Sequence, residues 1–369
     1  MLKIQRRIPK LMTPTQERIQ HIFKACSHRE VQQWTGLMTV DDLHAWLKQE
    51  LGSELALDQF LPHGPLKSKA IAPQCILHIV SGNTPHAAFQ SIIRGLIVGS
   101  HNIVKIPTSG LDAFTDALVH FPKPLRDLIE IHSALENEDW LRADVVVAIG
   151  SDKSIAAIQQ QIKPNQHFIA HGHKVSIAIV YDDFKTAARR AARDASLFNQ
   201  RGCLSIHAIY VQGDSMHFAE LLAREMEQFS NNNPPKPVTI SEAGAIRNLR
   251  ETNRFCAAND TSVQLWESKD TLNWTVIHQN DPLLHLSCLN RCVFVKPLPP
   301  TIDSEILGAE SDHLSTVAIH PFIDANTTLA ESLPAHRICP LGESQNPSLF
   351  WHHDGIAPIA SLVKWKDIG

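Results

Sequence analysis

Between residues 74 and 181 the chain alternates short apolar runs with amphipathic segments: "QCILHIV", "HAAFQSIIRGLIVG", "NIVKIP", "LDAFTDALVHF", "DVVVAIG", "SIAAIQQQI", "HFIAH" and "VSIAIVY". Runs such as "DVVVAIG" and "VSIAIVY" are apolar enough to be covered on both faces, which argues against a half-solvated antiparallel sheet. The pattern predicts an α/β fold, a mostly parallel sheet wrapped by helices, with nucleotide binding at the carboxyl ends of the strands. A second α/β region follows. "FKTAARRAARDASLFNQ" reads as helix and "SIHAIYV" as strand, "LNWTVIH", "RCVFVKPLPP" and "LSTVAIH" as further strands, and "NNNPPKP" (231–237) as a surface loop. From about residue 13 to residue 60 the pattern is helical and polar, with Ile19, Ile22 and Phe23 on one face and Thr39 placed to cap a second helix. The expected division is a helical lead-in (1–70), a doubly wound dinucleotide-binding domain (71–197), an α/β catalytic domain (198–350) and a C-terminal segment (351–369).

The bulk properties exclude several partners. A net charge of -4 over 369 residues gives no broad attraction to nucleic acid or anionic lipid. The basic N-terminus "MLKIQRRIPKLMTPTQERIQ" lacks the apolar core of a signal peptide, and no run approaches the roughly 20 apolar residues of a membrane span. A cytoplasmic protein is expected, and seven cysteines without pairing or metal-ligand spacing fit a reducing compartment. Of the 21 histidines, the "HGH" (171–173) and "HH" (352–353) clusters show no third ligand at metal-binding spacing, so no metal is expected.

One cysteine stands apart. Cys203, in "FNQRGCLS" (198–205), follows a short polar run where helix gives way to strand, a place where reactive side chains are often presented. Three other stretches precede it in order: "SGNTPH" (81–86), "GSHNIVKIPTSG" (99–110) and "VVVAIGSDKSIAAI" (145–158). Together they resemble the aldehyde dehydrogenase superfamily, with its Asn-x-Pro segment, a Lys after a short strand, Gly-Ser at a helix start and Phe-Asn-Gln-x-x-Cys. "HGHKVSIAIV" and "RICPLGESQNPSLFWHHDGIAPIASLVKW" are most similar to its LuxC-like acyl-CoA reductases, of the bioluminescence type.

That resemblance implies an aldehyde dehydrogenase-like fold and a set of roles. Cys203 would be the nucleophile, since a thiolate exchanges one thioester for another at little cost. Asn83 and the Cys203 backbone N–H would hold the oxyanion. Lys105 would bind the adenosine ribose of the dinucleotide. NAD-preferring relatives often carry a glutamate three residues after this lysine; here Thr108, with Ser109 beside it, would accept a 2′-phosphate, favouring NADPH. Gly150 and Ser151 would receive the pyrophosphate at a helix N-terminus. Hydrolytic members carry a water-activating glutamate in Glu-Leu-Gly-Gly-Lys; the matching "AHGHK" has Ala170 there, and His171 or His173 would serve as proton donor or phosphate contact.

The implied reaction is NADPH-dependent reduction of a long-chain acyl-CoA or acyl-protein thioester to the aldehyde. An acyl-protein synthetase or thioesterase is the implied companion, and a homo-oligomer built through a terminal strand such as "IAPIASLVKW" the implied assembly. An acyl-phosphate reductase, a hydrolytic aldehyde dehydrogenase and a catalytically silent scaffold subunit remain alternatives.

Overall fold

A computed structural model describes residues 14–82, 85–108 and 111–369, so the expectations for Asn83 and Ser109 lie outside the described residues. The chain divides into two units: the described residues through Gly172 together with Ser348–Gly369, and His173–Pro347.

In the first unit the hairpin β1 (Leu61–His63) and β2 (Leu66–Ile71) precedes five strands, β3 (Cys75–Ile79), β4 (His101–Lys105), β5 (Ile129–His132), β6 (Val145–Ile149) and β7 (His167–His171). These five form one sheet in the order β5-β4-β3-β6-β7, every pair parallel. Strand order reverses at β3, so β3 and β6 flank a crevice at their carboxyl ends, where such sheets bind ligands. The expected lead-in belongs to this unit. Helices Thr15–Cys26 and Val40–Leu51 bury Ile19, Ile22, Leu43, Trp46 and Leu47 in one core with Phe89, Ile92 and Leu96 of helix Pro85–Val98. Thr39 caps its helix as predicted, its hydroxyl accepting from the Asp42 N–H at 3.1 Å while Asp42 accepts from the Thr39 N–H at 2.8 Å.

The second unit carries β8 (Val175–Val180), β9 (Ile206–Val211), β10 (Val263–Glu267), β11 (Thr275–Gln279), β12 (Cys292–Pro297), β13 (Leu314–His320) and β14 (Arg337–Pro340). Their order is β10-β11-β12-β9-β8-β13-β14, parallel except at β10 and β11. Strands β8, β9 and β13 are buried at every position, as their unbroken apolar runs require. Because β8 pairs with β9 from Ser176–Ile206 to Val180–Val211, the helix Phe184–Ser196 between them is a crossover inside this unit. The division therefore falls at residues 172 and 173, not at the expected 197.

The last strand, β15 (Lys364–Ile368), returns to the first unit and pairs antiparallel with β2, from Lys364–Ile71 to Ile368–Lys67. One of its edges is thus paired within the chain. No helix among the described residues is long and apolar enough to cross a membrane.

Candidate active site

Cys203 is exposed and stands at the end of an unusual turn. Phe198, Asn199 and Gln200 take φ values of 53°, 53° and 61°, three successive left-handed residues that unconstrained side chains avoid. Buried hydrogen bonds hold the turn in this form. The Gln200 carboxamide donates to the carbonyls of Ile206 (2.8 Å) and Cys292 (2.7 Å) and accepts from the Cys292 N–H (3.0 Å). Gly202 has a steric reason, since a Cβ there would stand 2.9 Å from Gln345 Oε1, and Gln345 donates to the Ser205 hydroxyl at 2.6 Å. The Ser176 hydroxyl donates to the Cys203 carbonyl at 3.0 Å, fixing the thiol's backbone at the amino ends of β8 and β9.

His173 enters β8 at the same end of the sheet and lies 41% exposed. Its Nε2 is 3.3 Å from a Glu310 carboxylate oxygen that also lies 3.5 Å from His313 Nδ1. His207 on β9 is within hydrogen-bond reach of the Ser287 hydroxyl, 3.1 Å away, and burial, with His173 nearby, pushes its pKa down to about 4.

In the first unit, Lys105 ends β4 and Gly150–Ser151 follow β6, both at the carboxyl edge of the sheet. The Ser151 hydroxyl caps helix Asp152–Gln159, accepting from the Ser154 N–H at 3.3 Å, and the Gly150 N–H donates to the His171 carbonyl at 3.1 Å. Thr108 is exposed beyond β4, and Ala170 on β7 pairs with Ala148 on β6. Strand end, helix N-terminus and lysine share the edge beside the β3–β6 crevice, an arrangement that fits a dinucleotide.

His171 is placed differently from His173. It is 3% exposed, its Nδ1 lies 2.8 Å from Asp354 Oδ2, and its ring stacks on His353 at 3.9 Å and 13°. Arg94 Nη1 stands 3.5 Å from His353 Nδ1, and burial lowers the guanidinium pKa to about 10. The adjoining cavity, lined by His78, Ser91, Arg94 and His171 among others, measures about 10 Å3, room for at most one water. Asp354 is the third group that the spacing of "HGH" and "HH" does not reveal: ligand atoms of His171, His353 and Asp354 all lie within 4.8 Å. Near-parallel stacked rings do not aim two lone pairs at one ion, so the cluster reads as a hydrogen-bonded core network. His171 is committed to that network, which leaves His173 as the more accessible histidine of the pair.

The solved structures similar to this chain are aldehyde dehydrogenases. A methylmalonate-semialdehyde dehydrogenase from Oceanimonas doudoroffii matches with a TM-score of 0.67 at 12% identity, over 96% of this chain and 86% of that one. Betaine aldehyde dehydrogenase from Staphylococcus aureus matches with a TM-score of 0.67 at 16% identity, over 96% and 83%. The fold is therefore that of the aldehyde dehydrogenases. Within that class the chain belongs to the family described as acyl-CoA reductase (LuxC), whose profile matches residues 3–365. Among its relatives, a long-chain acyl-protein thioester reductase of Photobacterium leiognathi is 27% identical over 349 residues, 88% of this chain and 70% of that protein. The corresponding reductase of Aliivibrio fischeri is 25% identical over 343 residues, 88% and 70%.

Gln200, Gln345, Glu310 and His313 were not among the residues singled out in the sequence. Gln200 sits inside the quoted "FNQRGCLS", three residues before the cysteine, and that was the available signal. Gln345 lies inside the quoted "RICPLGESQNPSLFWHHDGIAPIASLVKW", whereas Glu310 and His313, more than 100 residues from Cys203, carried none.

Proposed function

We propose that this protein reduces a long-chain acyl thioester, carried by CoA or by a protein, to the aldehyde through an acyl-Cys203 intermediate, with NADPH as reductant. The observation that carries the reading is an exposed thiol at the end of a strained turn whose geometry is held by buried hydrogen bonds, in a chain of this family. The Cys203 thiolate attacks the acyl carbonyl, and the donor thiol leaves with a proton. Asn83, by family resemblance, and the Cys203 N–H hold the negative oxygen. A nicotinamide cofactor held there would supply hydride to the acyl carbon; Cys203, then carrying a thiohemiacetal, would depart as the thiolate as the aldehyde is released. His173, which lies beside Glu310, would hand a proton to a departing group.

Lys105, Thr108, Ser109, Gly150 and Ser151 would hold the dinucleotide, the neutral Thr108 leaving space for a 2′-phosphate. Ala170 provides no base to activate water, which favours an acyl-enzyme that waits for hydride over a hydrolytic dehydrogenase. An acyl-protein synthetase or thioesterase would supply the acyl group, in a reducing cytoplasm, and the protein would act as a homo-oligomer.

The test is a panel of acyl-CoAs, acyl phosphates and aldehydes with NADPH or NADH, followed at the reduced-nicotinamide absorbance. Thioester-dependent oxidation of NADPH is expected. Cys203→Ala should lower the rate by more than about a thousandfold and abolish trapping of labelled acyl groups. Acyl label retained in that variant would remove Cys203 from the mechanism.

A further inference from the structure

The turn before Cys203 leans on a second strained loop. Leu289, Asn290 and Arg291 take φ values of 63°, 55° and 62°, again three successive left-handed residues, and they lie between Cys288 and Cys292. The Asn290 N–H donates to the Asn199 carbonyl at 3.0 Å, and Cys292 supplies the backbone N–H and C=O that Gln200 clasps. At the loop's start the Ser287 hydroxyl lies 3.1 Å from His207 Nδ1, and at its end Arg291 donates to the Asn233 carbonyl at 3.0 Å. The Cys288 and Cys292 sulfurs stand 3.5 Å apart.

We propose that Cys288 and Cys292 form a disulfide when a peroxide oxidises them, and that closing this bond unlatches the turn that carries Cys203. A disulfide bond of 2.05 Å requires the sulfurs to approach by about 1.5 Å. That approach acts on a loop with few alternatives, because Asn290 and Cys292 are held by the same hydrogen bonds that hold Asn199 and Gln200. The pair divides the chemistry unequally. Cys288 is half-buried and its thiol is lowered below its usual range, first by the hydrogen bond with Cys292 and also by Arg250. Cys292 is buried and held well above that range by the same hydrogen bond and by burial. Burial pushes Cys26, Cys75 and Cys339 up to about 12, which makes them poor nucleophiles.

Cys288 thiolate attacks one peroxide oxygen, the O–O bond breaks, and sulfenic acid and hydroxide form. The Cys292 sulfur then attacks the Cys288 sulfur, the S–O bond breaks, and the Cys292 proton completes the second water. Two thiols and one hydrogen peroxide thus give one disulfide and two waters, the two electrons passing to the O–O bond. The consequence for activity rests on the reading of Cys203 as nucleophile; formation of the bond does not.

The experiment uses full-length protein carrying Cys203→Ser, so that oxidation of Cys203 does not compete, treated with hydrogen peroxide and then with dithiothreitol. Peptide mapping should find a 288–292 disulfide that dithiothreitol reverses. Hydrogen exchange across residues 197–206 should quicken about tenfold on oxidation and recover on reduction. Cys288→Ser and Cys288→Ala in the same background should show neither change. Absence of the 288–292 disulfide, at peroxide levels that oxidise Cys203 in the unsubstituted protein, overturns the proposal. A disulfide that forms with unchanged exchange at 197–206 overturns the unlatching. Neither readout uses acyl transfer, so failure here is distinct from failure of the reductase reading.

Discussion

The two units bury polar groups in opposite ways. In the first, His78 is fully buried within a regular sheet, its Nδ1 2.6 Å from the Ser91 hydroxyl and its Nε2 2.9 Å from Asn102 Oδ1. Asn102 reaches it because Gly95 has no side chain; a Cβ there would sit 1.8 Å from Asn102 Oδ1. His171, His353, Asp354 and Arg94 form a similar core network. In the second unit the buried polar groups grip irregular backbone: Gln200 holds the left-handed turn before Cys203, and Asp194 accepts from the Gly342 and Ser344 N–H groups at 2.7 and 3.4 Å. One set ties β3, β4 and β7 to the helix Pro85–Val98 and to the segment carrying His353 and Asp354. The other holds a conformation the backbone would not adopt alone, and the candidate nucleophile is there.

Acid should have the largest effect, with one group of the second unit opposed to the rest. Burial pushes His78 and His86 of the first unit down to about 4, from 6.5. Unfolded chains bind those protons first, so the stability these groups contribute is full above pH 6.5 and is lost as pH falls toward 4, about 3 kcal/mol each at most. In the second unit His207 behaves alike, and His278, His285 and His320 shift the same way. Asp194 runs against them: burial raises its pKa from 3.8 to about 6, so the native state takes up the extra proton and gains stability as pH falls through that window. Asp194→Asn removes that gain, so protection against hydrogen exchange, corrected for the intrinsic rate, should fall more steeply between pH 6.5 and 4.5 in β8 and β9 of the variant than in those of the unsubstituted protein, with β3 and β6 unchanged. Equal slopes in the two proteins would take Asp194 out of the balance.

Gly95→Ala tests the close fit of the first unit. The added methyl should cost about 2 kcal/mol, speeding exchange in β3 and β4 while leaving the iodoacetamide labelling rate of Cys203 unchanged. An equal slowing or quickening at Cys203 would mean the units do not behave separately. Ala170→Glu asks the converse, whether a residue of the first unit bears on chemistry at Cys203. A carboxylate there should hasten hydrolysis of labelled acyl-enzyme about tenfold, the low end for a grafted base, followed by mass spectrometry with CoA removed. Rapid hydrolysis in the unsubstituted protein would point to another base, such as His173. The smallest effect is expected from Thr108→Glu, where like-charge repulsion should lower the NADPH-to-NADH ratio of kcat/KM about threefold; no change would take this loop out of cofactor choice.

The apolar runs and their alternation determined the parallel sheets, because a strand buried on both faces has no other way to read. That is why "QCILHIV", "DVVVAIG", "VSIAIVY" and "SIHAIYV" all appear as strands where expected. Motif order identified the superfamily for the same local reason: Gly150–Ser151 at a strand end and Cys203 after Phe-Asn-Gln are short-range patterns. Tertiary structure decided what depends on contacts across long separations. Pairing of β8 with β9 moved the division of the chain to residue 172, and pairing of β15 with β2 brought the terminus home. It also parted two histidines that differ by two positions in "HGH". His171 ends a strand facing a core whose other members come from residues 94, 353 and 354, while His173, beyond Gly172, meets Glu310. A side chain's environment is set by what the fold brings to it, and residues more than 100 positions away leave no mark on the local sequence.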